Sequence, residues 1–174
     1  MRTSNLSDER TVSARTGIRQ ATTTDEIERA RALFVEYAQW LKVDLCFQGF
    51  AEELKALPGA YAPPRGRLLL AGTAHDAFAC IALRPLDSDG VAEVKRLYVR
   101  PAHRGERWGY RLAEELIAEA RAIGYRELKL DTLEWMTPAR ALYASLGFRE
   151  CGAYYDNPLA GVVYMRLELD ARSS

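Results

Sequence analysis

Residues 92–109, AEVKRLYVRPAHRGERWG, run from a strand-like segment through a glycine-bearing turn into the start of a helix. The first amides of a helix lack intrahelical acceptors, and the aligned peptide dipoles leave a partial positive charge beside them, so this order of elements makes an anion cradle. Within the strand, Val94, Tyr98 and Arg100 alternate against Glu93, Lys95, Leu97 and Val99, as suits an extended segment whose two faces meet different surroundings.

Any anion site has to be local, because the 24 Lys and Arg residues of the 174-residue chain are matched by 24 Asp and Glu. That balance gives no case for nucleic acid or an anionic membrane as a partner. The length suits one domain, residues 16–174, burying about 70 % of the surface an unfolded chain exposes. The polar residues 1–15 read as a disordered lead-in. No apolar run approaches the ~20 residues of a membrane span or the centre of a secretion signal, which places the protein in the cytoplasm. Cys46, Cys80 and Cys151 are odd in number and have no neighbouring His or Cys, so they are expected to be buried, reduced thiols rather than a zinc or disulfide framework.

A first strand is expected at residues 17–21, and Thr23 with Glu26 forms a capping-box signature. The helix it opens carries Ile27, Ala30, Leu33, Phe34, Tyr37 and Leu41 on one face. A shorter helix over 51–57 ends at Pro58-Gly59. Strands at 67–73 and 76–86 form a hairpin around Ala74-His75, and 87–90 supply the next turn. A helix over 107–123 has Trp108 and Leu112 in its apolar stripe and Gly124 as its C-terminal cap. Alternation at Leu128, Leu130 and Thr132 predicts a strand, Thr137-Pro138 opens a helix to Leu146, and strands follow at 148–151 and 162–169. Strands alternating with helices around a paired hairpin indicate an α/β layer with a mixed sheet.

The segments EVKRLYVRPAHRGERWGYRL (93–112), LKLDT (128–132) and ALYASLGF (141–148) together resemble the GCN5-related N-acetyltransferase (GNAT) superfamily over about residues 17–169. The resemblance implies an α/β (α+β) fold in which a central mixed, mostly antiparallel sheet of about six or seven strands is flanked by about four helices. It also implies an acetyl-CoA-dependent N-acetyltransferase in which a primary amine, small molecule or peptide, attacks the thioester directly in a ternary complex, with no metal. A homodimer through the late strands is compatible with it. The family's pattern Arg/Gln-x-x-Gly-x-Gly/Ala binds the pyrophosphate of acetyl-CoA, and Arg104 and Gly109 occupy its first and last positions. Arg107 stands where glycine is usual. Gly105 and the amides of Glu106, Arg107, Trp108, Gly109 and Tyr110 still face the anion in this reading, and the Arg107 guanidinium adds a charged contact. By the same resemblance a bulge or splay frees amides at Leu97, Tyr98 and Val99 for the pantetheine and an oxyanion.

Acyl transfer needs an unprotonated amine, and an alkylamine near pKa 10.4 is mostly ammonium at neutral pH. Glu93 matches the family's catalytic base, the alternative being an edge glutamate paired with Lys95 or Arg96. Tyr143 matches the tyrosine that gives the departing thiolate a proton, the alternative being a core tyrosine. Met136 stands where the family often has a CoA-contacting asparagine. His75 is expected at the surface, and His103 in a solvated loop beside the cradle. Asp131, Thr132 and the loop 154–158 sit where α/β proteins place substrate contacts. A non-catalytic acyl-CoA-binding or sensor domain on the same fold is the second reading; a dinucleotide-binding domain is distant, since G-x-G-x-x-G is absent.

Overall fold

The computed structural model describes residues 16–73, 75–86 and 89–169. The lead-in 1–15, Ala74 of the hairpin turn, and Asp87 and Ser88 of the following turn lie outside the described residues. Seven strands form one mixed sheet in the order β1-β2-β3-β4-β5-β7-β6. They are β1 (Gly17–Gln20), β2 (Arg67–Gly72), β3 (Ala77–Pro85), β4 (Val91–Val99), β5 (Glu127–Leu133), β6 (Arg149–Cys151) and β7 (Val162–Glu168). All neighbours pair antiparallel except β4 with β5. β7 is enclosed by β5 and β6, so a late-strand dimer has only the free edge of the three-residue β6 to use.

Four helices cover the sheet: α1 (Thr24–Leu41), α2 (Phe50–Ala56), α3 (Trp108–Ile123) and α4 (Thr137–Ser145). Thr23 caps α1 as its spacing predicts, its side chain accepting from the Glu26 amide while the Glu26 carboxylate accepts from Thr23 N–H. Burial pushes the Glu26 carboxyl up, but the Thr22 and Thr23 amides and the Arg19 side chain outweigh it and hold the pKa at about 2. On one face, Ile27, Ala30, Leu33 and Phe34 of α1 pack on Leu68, Leu70, Cys80 and Ala82. On the other, Leu112, Leu116 and Ala120 of α3 pack on Ile81, Leu83, Val94 and Leu128. Each fully buried Leu or Ile removes enough apolar surface to contribute about 1.5–3 kcal/mol. No helix among the described residues is long and apolar enough to cross a membrane. The three thiols are unpaired, but only Cys80 is fully buried; Cys151 is half-buried and Cys46 is exposed, since it lies in a 3₁₀ turn (Cys46–Gln48) on the surface.

The alternation expected for β4 fails part-way. Cys80 opposes Tyr98 and Ala82 opposes Lys95, so Ile81 faces both Arg96 and Leu97, and β4 carries one extra residue. Arg96 takes the left-handed conformation of the bulge, φ 60°. The extra residue inverts the side-chain phase, so Val94 joins the α3 side of the core and Tyr98 the α1 side. Pairing with β5 stops at Glu93 opposite Lys129, while β5 continues against β7 to Leu133. The two central strands therefore part beyond Glu93, and residues 94–99 have no strand on that side.

Candidate active site

A cleft of about 640 Å³ fills the gap between the parted strands and runs to the start of α3. Its cradle end is the turn 104–107. Gly105 (φ 87°) and Arg107 (φ 62°) are both left-handed, so the chain curls and aims successive amides outward. No backbone acceptor among the described residues takes the N–H of Gly105, Glu106, Arg107, Trp108, Gly109 or Tyr110. A Cβ at Gly109 would meet Leu142 Cδ1 at 3.2 Å, so glycine there allows the close approach of α3 and α4. The exposed Arg107 side chain turns over the Tyr110 ring, 4.7 Å from its centroid, which leaves its backbone on the cleft wall. Arg104 donates from Nε to the Val99 carbonyl at 2.9 Å and lies over the Trp40 ring, with its terminal nitrogens free for an anion. His103 also lines the cleft, stacked on Phe78 at 3.9 Å rather than free in solvent.

Leu97, Tyr98 and Val99 form the strand wall, and Tyr143 of α4 stands opposite the cradle. Tyr143, 7 % exposed, packs against Phe148 in the core and also belongs to the cleft lining. Burial pushes its phenol well above the ordinary value of 10, so it carries its proton throughout the neutral range. Met136 lines the same wall beside Thr132.

Three lining residues escaped the sequence reading. Tyr37 sits on the stripe assigned to the core, yet it and Trp40 reach past the sheet into the cleft, and Trp40 meets Trp135 across its mouth at 5.7 Å. The available signals were Tyr37 and Trp40 at helical spacing near the end of α1 and Trp135 just past β5. Burial pushes the Tyr37 phenol up to about 12, keeping it neutral.

Glu93 does not line the cleft. Its carboxylate, 1 % exposed, accepts from Arg84 Nε at 2.7 Å and Tyr154 Oη at 2.7 Å, with Lys95 Nζ 3.4 Å away. Lys95 bridges onward to Asp131 Oδ1 at 3.1 Å, and Asp131 Oδ2 accepts from Tyr155 at 2.9 Å and Asn157 at 3.3 Å. Asp131 itself lines the cleft and also a smaller cavity of about 40 Å³ behind it. Of the loop 154–158, Tyr155 and Asn157 meet Asp131 and Tyr154 meets Glu93, which lies one ionic step behind the wall. Arg96, 6 % exposed, is held by Glu53 through two nitrogens and by Gln48 at 3.0 Å.

Comparison with known proteins assigns the chain to a family. The acetyltransferase (GNAT) family profile covers residues 27–148. A protein of Schizosaccharomyces pombe named as an uncharacterized N-acetyltransferase is 41 % identical over 145 residues, 83 % of this chain and 89 % of its own. The chain belongs to the GNAT acetyltransferase family. Among solved structures, a GNAT acetyltransferase from Staphylococcus aureus Mu50 superposes with TM-score 0.74 at 19 % identity, covering 90 % of this chain and all of its own. A putative acetyltransferase of Salmonella typhimurium, solved with acetyl-CoA, gives TM-score 0.62 at 21 % identity over 91 % of this chain and 96 % of its own. At such identities the likeness is one of fold, and the seven-stranded mixed sheet with four helices is the GNAT fold expected from the sequence.

Proposed function

We propose that the domain formed by residues 16–174 transfers an acetyl group from acetyl-CoA to a primary amine by direct attack, in the cytoplasm. The observation that carries this reading is the continuity of one cleft from six unaccepted amides at α3, along the open edge of β4, to the Tyr143 ring. These residues fit the cofactor: the amides of residues 105–110 and the Arg104 and Arg107 guanidinium groups suit its diphosphate, and the open edge at Leu97, Tyr98 and Val99 suits the amides of its pantetheine arm. Acetyl-CoA, when bound, supplies the acetyl group as a thioester.

The chain's own residues move the protons. Asp131, on the wall, receives the proton of the arriving ammonium, and Glu93 acts behind it as a positioning residue, sharing Lys95 with Asp131 while Arg84 and Tyr154 hold its own carboxylate. Tyr143, a cleft-lining phenol, gives its hydroxyl proton to the departing sulfur. With no Cys–His pair on the wall, direct attack needs no acyl-enzyme.

The test is thiol release from acetyl-CoA over a panel of amines. Tyr143→Phe is expected to slow release about 10- to 100-fold while acetyl-CoA affinity, read from tryptophan fluorescence, stays within twofold. Undiminished release removes the acid from Tyr143. Saturable acetyl-CoA binding with no release from any amine converts the protein to the acyl-CoA sensor that its fold equally allows.

A further inference from the structure

The cleft and the small cavity behind it share Tyr37, Arg96, Asp131, Thr132 and Met136, so they meet at Asp131. Among the described residues Asp131 is the only carboxylate on either wall. A carboxylate offers about four acceptor positions, and Lys95, Tyr155 and Asn157 take three of them. One is left, enough for a single N–H donor.

The cations there are already committed. Lys95 sits between Glu93 and Asp131, and Arg96 between Glu53 and Gln48. The other basic side chains of the walls, His103, Arg104 and Arg107, belong to the turn before α3, at the cofactor's end. Leu41, Leu45, Leu133 and Leu159 line the small cavity together with the uncharged polar groups of Gln48 and Thr132, and Trp135, 55 % exposed, stands with Trp40 in the cleft. With about 40 Å³ the small cavity holds no more than the amine head, which leaves the body of the acceptor against the tryptophans.

We infer that the acceptor is a primary monoamine on an uncharged apolar or aromatic body, its ammonium received by Asp131 and its body resting on Trp40 and Trp135. This rests on the acetyl-transfer reading. An amino acid would bring a carboxylate beside Asp131, where Lys95 and Arg96 are already paired and Arg104, over Trp40, is taken by the diphosphate in this reading, and a polyamine or a sugar with several amines would bring a further ammonium with no second carboxylate to meet it. A flat ring on the tryptophan pair gains stacking as well as burial, and the approaching ammonium is attracted to the same ring faces.

The experiment uses two matched pairs of acceptors with the full chain and acetyl-CoA: phenethylamine against phenylalanine, which adds only a carboxylate, and butylamine against putrescine, which adds only a second amine. We expect kcat/KM for phenethylamine to exceed that for phenylalanine by about 100-fold, and butylamine to exceed putrescine by about 10-fold. Turnover that favours phenylalanine or putrescine overturns the inference and leaves acetyl transfer standing. No thiol release from any of the four, while other amines of the panel turn over, overturns the inference alone; no release from any amine, with saturable quenching by acetyl-CoA, overturns both. Asp131→Asn is expected to raise KM for phenethylamine at least 10-fold with acetyl-CoA affinity within twofold; an unchanged KM removes Asp131 as the receiver. Should that variant fail to fold, the matched pairs on the native chain decide.

Discussion

Two arginines, Arg96 and Arg107, hold nearly the same backbone conformation at opposite ends of the cleft, with φ of 60° and 62°. Left-handed backbone costs a residue with a Cβ about 1–2 kcal/mol, so each position would ordinarily favour glycine. Their side chains live differently. Arg96 is buried in an ion pair with Glu53, to which Gln48 and the Tyr61 hydroxyl also attach, whereas Arg107 is exposed and leans on Tyr110. At Arg96 the side chain offsets the backbone strain, and the bulge and ion pair form one unit. At Arg107 little protein contact offsets it, which fits a side chain retained for a ligand.

The largest expected effect tests the buried member. Arg96→Gly relieves the backbone but leaves the half-buried Glu53 beside an empty site, and we expect a net loss of about 2–4 kcal/mol in urea unfolding. A gain in stability would dissolve the contrast between the two arginines. Glu53→Gln should cost about 2–3 kcal/mol alone, and the double variant less than the sum, because the two residues share one interaction. Strict additivity in that cycle would separate bulge from ion pair.

Arg107→Gly is expected to move stability the other way, up by about 1 kcal/mol, while Arg107→Ala keeps the strain and gains nothing. If acetyl-CoA affinity falls alike in both, the guanidinium serves the ligand; if neither changes it, only the backbone does. The smallest effect touches neither arginine. Glu26→Gln should cost about 1 kcal/mol at pH 7. The Glu26 pKa is about 2 in the fold against 4.5 as the ordinary value, so its stabilisation is complete above pH 4.5 and is lost as pH falls towards 2. Denaturation midpoints of the two proteins should converge over that range.

The same contrast separates what could be read in the sequence from what could not. The cradle was legible because strand, Gly105, Gly109 and helix are contiguous, and the cap of α1 because Thr23 and Glu26 are three residues apart. The phase of β4 was not: one added residue looks like ordinary alternation until its partner strand is known, and Val94 and Tyr98 land on opposite faces. Glu93 was legible as a carboxylate of the central strand, but its surroundings come from Arg84 and from Tyr154, 61 residues away. The cleft mouth depends on the meeting of the end of α1 with the end of β5, which places Trp40 on Trp135 and follows no local pattern.

The bulge has a consequence for the chain's tolerance of length changes. Deleting Arg96 alone would leave Lys95 opposite Ala82, Leu97 opposite Ile81 and Tyr98 opposite Cys80, so plain alternation would keep every other β4 side chain on its present face. What would be lost is the left-handed turn at that position and the Arg96–Glu53 ion pair built on it. A one-residue gap here would therefore be felt through the lost ion pair and the straightened strand, while the same gap one step away, at Lys95 or Leu97, would have to move the bulge to keep the two faces in phase.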